Sequence, residues 1–334
     1  MNPPQSAPTG VVITHALRTP IGKYLGGFNT LTGVDLGVSV VRSLFEQSGV
    51  DPKLVGEVIL GNSRQAGSGP NPARQIAIRA GIPETTCATT INMACGSGLK
   101  TLQLAADSIR LGRTEVVLAG GTESMSGLPH FLPKFRNGYR LGHDRVVDAI
   151  MLMGATAENL ADSHTITRLD QDEYAIRSQT LAAQAVEAGH FDAEIAPVEV
   201  KGRKGQVTVV DKDEHIRFGA KIESLGKLPT VFKQDGTVTA GNASGITDGA
   251  AAILMMSEAK ANELGLEILA HLGHTTEAGV DPKIMGIGPV PAIRELCEQS
   301  GRAIGETTEL TQINERIRRP MSGGARKTAP RSRT

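Results

Sequence analysis

Cys95 stands in Thr89-Thr90-Ile91-Asn92-Met93-Ala94-Cys95-Gly96-Ser97-Gly98. It falls between an apolar extended run and a segment whose apolar residues recur at Leu99, Leu102, Ala106 and Ile109, the spacing of a helix. A thiol at a strand-to-helix turn meets the positive end of the helix macrodipole, which favours thiolate over thiol. Glycines beside it let an acyl group come close to the backbone. This setting predicts acyl transfer through a thioester. The same residues also read as a buried cysteine acting as a small hydrophobe beside a plain Gly-Ser packing signature, and the local pattern leaves both readings open.

The elements that must hold such a turn follow from the apolar pattern. Val11 to Ile13 predicts a short buried strand, and Asp35 to Gln47 a helix with Leu36, Val40, Val41 and Leu44 on one stripe. Strands are expected at Val58 to Leu60 and Val116 to Ala119, with a helical segment at Ala73 to Ala80 and the helix after Cys95 between them. This alternation is the pattern of an α/β domain with a parallel sheet. From Gly127 to about Thr237 the pattern changes. A loop with Pro129, Pro133 and Gly138 precedes a helix around Ala155 to Ala161 and a longer one from Gln171 to Ala188, with Asp170 and Glu173 as its capping box and Gly189 as its stop. The wholly apolar run Ala250 to Met256 predicts a buried central strand. A second α/β portion opens near Ile268, with a helix at Val290 to Gln299 and a strand at Leu310 to Ile313.

Composition narrows the function classes. The 334 residues carry 35 basic and 35 acidic side chains, 3% aromatics and no Trp, which argues against a nucleic-acid surface, since that needs a basic face and stacking rings. No stretch approaches the ~20 apolar residues of a membrane span, and Met1 to Gly10 is polar and Pro-rich, so a cytoplasmic protein is expected. Cys87, Cys95 and Cys297 have no metal-ligand spacing and make no even framework, so reduced thiols are expected, with Cys87 in a core and Cys297 packed on a helix face. Of the eight histidines, His271 and His274 fall in the strand region opening the second portion. His15, His130, His143, His164, His190 and His215 are expected in loops or at helix ends.

Three long motifs occur in order: Asn92-Met93-Ala94-Cys95-Gly96-Ser97-Gly98-Leu99-Lys100, Ala119-Gly120-Gly121-Thr122-Glu123-Ser124-Met125-Ser126, and Thr239-Ala240-Gly241-Asn242-Ala243-Ser244-Gly245-Ile246-Thr247-Asp248-Gly249-Ala250-Ala251. Together with Ala16 to Lys23 and Gly279 to Val290, they make the chain resemble thiolases of the acetyl-CoA acetyltransferase type from about Val11 to Glu315. The resemblance implies an α/β fold with a five-layered α-β-α-β-α core and an inserted lobe. The N-terminal domain would comprise 1–126 and 238–267, the coenzyme-binding lobe 127–237, and a partial C-terminal domain 268–315. It implies Claisen condensation of acetyl-CoA, or thiolytic cleavage of a 3-ketoacyl-CoA, through an acetyl-Cys95 whose own N–H helps hold the thioester oxyanion. Asn314 matches the asparagine of the family's Asn-Glu-Ala-Phe motif, which holds a water. Arg217, Ser224 and Ser244 match coenzyme-binding positions, and Met153 matches a pocket methionine, with Leu152 where short-chain biosynthetic members often carry His. The resemblance implies no resident cofactor, coenzyme A thioesters being substrates, and a homodimer or homotetramer, with 128–148 as a contact loop.

After Asn314-Glu315 the pattern departs from the family. Residues 316–334 hold seven Arg or Lys and no acid, leaving 28 basic against 35 acidic side chains in the first 315. The family's Ala-Phe-Ala continuation, its Gly-His-Pro histidine and its second cysteine have no match. A single inserted base after the Glu315 codon would convert the family's continuation into this basic extension. The alternative expectation is therefore a catalytically inactive remnant that keeps the nucleophile without its proton-transfer partners.

Overall fold

The computed structural model describes residues 10–129, 153–202 and 205–304. These fall into two compact units, the first drawn from 1–139, 172–227 and 244–273 and the second from 140–171, 228–243 and 274–334. Residues 172–227 group with 1–139 in the first unit.

The first unit is built on a sheet. In chain order it contains β1 (Val11–Arg18), β2 (Gly22–Lys23), α1 (Gly33–Ser48), β3 (Glu57–Gly61), α2 (Pro72–Arg79), β4 (Cys87–Ile91), α3 (Ser97–Arg110) and β5 (Val116–Glu123). Helix α1 begins where Thr32 and Asp35 exchange side-chain and backbone hydrogen bonds as a capping box, and it ends at Gly49 in the left-handed conformation. Its stripe of Leu36, Val40, Val41 and Leu44 is buried as the spacing predicts.

Strands β3, β4 and β5 are parallel, with β3 between the other two. The apolar run near residue 250 becomes β8 (Thr247–Ser257), which lies antiparallel to both β5 and β1. The sheet is therefore mixed, with β4, β3, β5, β8 and β1 side by side in that order, and not the parallel sheet that the alternation predicts. Apolarity reports burial on both faces of a strand but carries no direction. The two-residue β9 (Ala270–His271) pairs with β1, so the segment expected to open a second portion adds an edge to the first sheet.

Alternation along the strands sorts the core into two layers. Val12, Val58, Leu60, Val116, Leu118 and Leu254 face α1 and α2, whereas Val11, Ile59, Val117, Ala119 and Met255 face Ala105, Ala106 and Ile109 of α3. A hairpin of β6 (Val198–Lys201) and β7 (Val207–Val210) adds Val198 and Val200 to the first layer.

Cys87 is exposed, not in a core, because β4 closes one end of the strand order. Leu99, expected on the buried stripe of α3, is 41% exposed, and Ser97 and Thr101 are buried instead. His15 lies within β1, not in a loop.

The second unit contains α4 (Met153–His164), a 3₁₀ turn at Pro282–Ile287 and α8 (Pro289–Ser300), with Cys297 half-buried on α8. Asn159 Nδ2 donates to the Lys283 carbonyl at 2.9 Å. The buried Glu158 carboxylate accepts from the N–H groups of Thr237 and Val238 at 2.8–2.9 Å. Helix α5 (Arg168–Glu187) starts at Thr167, whose hydroxyl and N–H engage the Asp170 carboxylate. The capping box is thus Thr167 with Asp170, three residues before the expected pair, while Gly189 is left-handed just past the helix end as predicted. Short helices α6 (Ile222–Leu225) and α7 (Glu258–Glu263) complete the helical elements named here. No helix among the described residues is long and apolar enough to cross a membrane.

Candidate active site

The turn carrying Cys95 joins the end of β4 to the start of α3, at the carboxyl ends of the parallel strands, where open α/β sheets place their ligands. Ala94 has φ +47°, a left-handed conformation that costs a non-glycine residue about 1–3 kcal/mol. Neighbouring side chains hold it there. Asn92 Oδ1 accepts from the Ala94 N–H at 3.0 Å, and Ser97 Oγ accepts from Met93 N at 2.9 Å while donating to the Ala94 carbonyl at 2.6 Å. Cys95 is exposed, which removes the buried-hydrophobe reading. Helix α3 has Gly96 as its N-cap and no side-chain cap; the Gly96 and Ser97 N–H groups donate to the Met93 and Ala94 carbonyls at 3.0 and 3.1 Å, and the positive end of the helix faces the thiol.

The Gly-Gly-Thr-Glu-Ser motif is the frame behind this turn. A Cβ on Gly120 would sit 2.1 Å from the Ala251 carbonyl oxygen of the neighbouring strand, and Thr101 Oγ1 of α3 bonds both the Gly120 N–H and carbonyl at 3.1 Å. Thr122 Oγ1 donates to the Gly33 carbonyl and Ser124 Oγ to the Leu31 carbonyl, fixing the approach to α1. The Glu123 carboxylate accepts from Asn62 Nδ2, from the N–H and hydroxyl of Ser63 and from Arg64 N. Asp248, from the third motif, accepts from Ser126 N at 2.9 Å and Ser126 Oγ at 2.5 Å. The second motif therefore ties helix α3 to the third motif.

The Ala16 to Lys23 stretch anchors a further loop. Arg18 donates to Glu194 at 2.6 Å and to Asp213 at 2.7 and 3.0 Å, with its guanidinium 5.3 Å from the Phe191 ring centroid. Burial alone would lower the Arg18 pKa, but the bonds and charges of Asp213 and Glu194 outweigh it and raise the pKa above its ordinary value. Glu214 accepts from the N–H groups of Lys23 and Gly27. Asp213 and Glu214 thereby pin the loop that carries His215 and Arg217.

Arg217 is exposed, and its N–H donates to Gln179 Oε1 at 2.7 Å. The Arg217 loop meets the Ser244 turn directly, since a Cβ on Gly245 would lie 1.7 Å from His215 Nε2. Ser244 and Ser224 are both exposed, Ser224 within α6. Cys95, Arg217, Ser224 and Ser244 belong to the first unit, whereas Met153, half-buried at the start of α4, belongs to the second. Asn314, Leu152, the 310–313 strand, the basic tail and almost all of the 128–148 loop lie outside the described residues. Among the described residues no group of three His, Cys, Asp or Glu could hold a metal ion.

A family profile described as "Thiolase, N-terminal domain" matches residues 11–259. The chain belongs to the thiolase family. Thiolase relatives extend the match well beyond that profile. An acetyl-CoA acetyltransferase of Pseudomonas aeruginosa is 48% identical over 316 residues, covering 91% of this chain and 80% of the relative. A probable acetyl-CoA acyltransferase of Staphylococcus aureus is 45% identical over 318 residues, 92% of this chain and 81% of the relative. Among solved structures, the Bacillus anthracis acetyl-CoA acetyltransferase matches with a TM-score of 0.84 at 45% identity, over 90% of this chain and 79% of that one. Human mitochondrial 3-ketoacyl-CoA thiolase in complex with CoA matches at 0.81 and 40% identity, over 89% and 77%. The mixed α/β sheet with its two flanking helix layers is the thiolase arrangement of these neighbours.

Thr101, Glu123, Asn62 and Asn92 were not singled out from sequence. Polar residues within Gly-rich motifs read as turn formers, and the sign that they do more, partners some 20 to 60 residues distant, exists only in three dimensions.

Proposed function

We propose that this thiolase is an acetyl-CoA C-acetyltransferase working by ping-pong transfer through Cys95. The observation that carries the reading is the exposed Cys95 on a strained turn, next to a helix N-terminus that lacks a side-chain cap. In the first half-reaction the Cys95 sulfur attacks the thioester carbonyl of acetyl-CoA. The Cys95 N–H helps hold the oxyanion, and the coenzyme thiolate leaves, giving acetyl-Cys95. With a 3-ketoacyl-CoA the sulfur attacks the C3 ketone carbonyl instead, the C2–C3 bond breaks, and the enolate of acetyl-CoA leaves, giving acyl-Cys95. In the second half-reaction the Cys95 S–C bond breaks as the acetyl group joins the α-carbon of a second acetyl-CoA, whose α-proton passes to solvent, or as the acyl group joins the sulfur of coenzyme A, whose thiol proton is lost, in the thiolytic direction.

Arg217, Ser224 and Ser244 are assigned to the coenzyme. A guanidinium suits phosphate and short hydroxyls suit pantetheine amides, and the His215–Gly245 contact that joins the Arg217 loop to the Ser244 turn supports placing them together. Met153 is assigned to the acyl pocket and Asn314 to a bound water. The reading calls for no cofactor, coenzyme A thioesters being the substrates. It includes a homodimer or homotetramer, supported by the exposed residues of β4 at the end of the strand order, and a cytoplasmic setting, which fits three free cysteines. The nucleophile turn and its frame are fully built, which favours an acyltransferase over an inactive remnant.

The test is incubation with acetyl-CoA followed by peptide mass spectrometry, with acetoacetyl-CoA formation followed in parallel. An acetyl group on the Cys95 peptide, absent in Cys95→Ser, together with acetoacetyl-CoA, is expected. An unmodified Cys95 would overturn the assignment, and acetyl-Cys95 without product would restore the remnant reading.

A further inference from the structure

The carboxylate of Glu123, at the end of β5, gathers four donors: Asn62 Nδ2 at 3.1 Å, Ser63 N at 3.0 Å, Ser63 Oγ and Arg64 N at 3.2 Å. Asn62, 2% exposed, also donates to the Thr122 carbonyl at 2.7 Å, and Gln65 Nε2 closes back on the Asn62 carbonyl at 3.2 Å. The 62–65 segment is thereby fixed against the strand end. It is also the support of the nucleophile turn. The Ser63 carbonyl accepts from Asn92 Nδ2 at 2.9 Å, and the other end of that same amide accepts from the N–H of left-handed Ala94. A continuous path of hydrogen bonds thus runs from Glu123 through Ser63 and Asn92 to the residue before Cys95.

We propose that Glu123 is a positioning residue for Cys95, acting through the 62–65 loop and Asn92 to hold the strained turn in the one geometry that presents the thiol at the start of α3. The proposal rests on Cys95 being the nucleophile, but its test does not need turnover. A left-handed alanine relaxes unless its surroundings over-determine it, and the path from Glu123 supplies that restraint. A carboxylate is suited to the task because every group facing it donates. Glutamine in its place would set an NH₂ against one or more of those donors.

The experiment is iodoacetamide labelling at pH 7 of the full chain, with Cys95 and Cys87 quantified in the same sample. In Glu123→Gln the Cys95 rate should fall about tenfold or more relative to Cys87, and where turnover is measurable kcat should fall with little change in KM. Glu158→Gln, the same chemical change in a carboxylate that caps Thr237 and Val238 in the second unit, controls for loss of stability alone, with Tm recorded for both. An unchanged Cys95:Cys87 ratio in Glu123→Gln, whatever its Tm, overturns the proposal. If that variant does not fold, Ser63→Ala removes one donor of the four. A Cys95 rate between those of wild type and a fully released thiol supports the proposal, and an unchanged rate overturns it.

Discussion

Gly61, the last residue of β3, lies against Ser97, the first residue of α3, so closely that a Cβ on Gly61 would stand 2.7 Å from the Ser97 Cβ. The contact brings the end of the central parallel strand up to the helix start beside Cys95. Gly61→Ala should cost about 1–3 kcal/mol by overpacking, because the opposing atoms belong to a helix and cannot swing aside. Since the displaced element is the start of α3, acetylation of Cys95 should slow as well. Chemical denaturation and the acetylation time course check both parts, and wild-type values in each would contradict the packing argument.

Gly245 makes a comparable contact with the His215 ring. Gly245→Ala should push the Arg217 loop away from the Ser244 turn and raise the KM for acetyl-CoA more than it lowers kcat. Adding His215→Ala reopens the space, so the double variant should recover part of the lost affinity and the two effects should fail to add. Additive losses would mean the two loops do not depend on each other.

Acid should destabilise the fold in two separable steps. His15 in β1 has a buried Nδ1 that finds no hydrogen-bond partner among the described residues. Burial lowers its pKa below the usual 6.5, and the opposing pull of Glu267 is smaller. The unfolded chain therefore takes up this proton first, and stability falls as pH drops from about 6.5 toward the lower folded value. For Asp35, burial is the largest single influence and raises the pKa, yet hydrogen bonds from Thr32 and Arg79 together outweigh it and leave the pKa lowered. Its contribution is present above the unfolded carboxylate value near 4 and is lost as pH falls through the folded value. Thermal melts from pH 8 to pH 3 should show both limbs. His15→Gln should flatten the first and Asp35→Asn the second.

Local periodicity reveals local structure. The α1 stripe, the β3 and β5 runs and the left-handed Gly189 were legible because each depends on residues within one turn or one strand. The direction of β8, the exposure of Cys87 on an edge strand and the addition of β9 to the first sheet depend on partners far along the chain. The capping box of α5 was misplaced by three residues because Thr167-Asp170 and Asp170-Glu173 satisfy the same spacing. The strand-to-helix turn that carries Cys95 was legible, whereas the hydrogen bonds that Glu123 and Asn92 make around it were not. A carboxylate that collects backbone N–H groups has no spacing signature of its own.

The place of β8 between β5 and β1 sets an order on how the chain can fold during synthesis. Strand β1 leaves the ribosome well before its long partner, which pairs Val11 with Ser257, 246 residues further along the chain. At about 5–20 residues per second, β1 waits on the order of 10–50 s before β8 can separate it from β5. Throughout that interval β1 lacks its long strand partner, and β5 presents a bare edge. The nascent chain is therefore a natural client for a holding chaperone until Ser257 is in place.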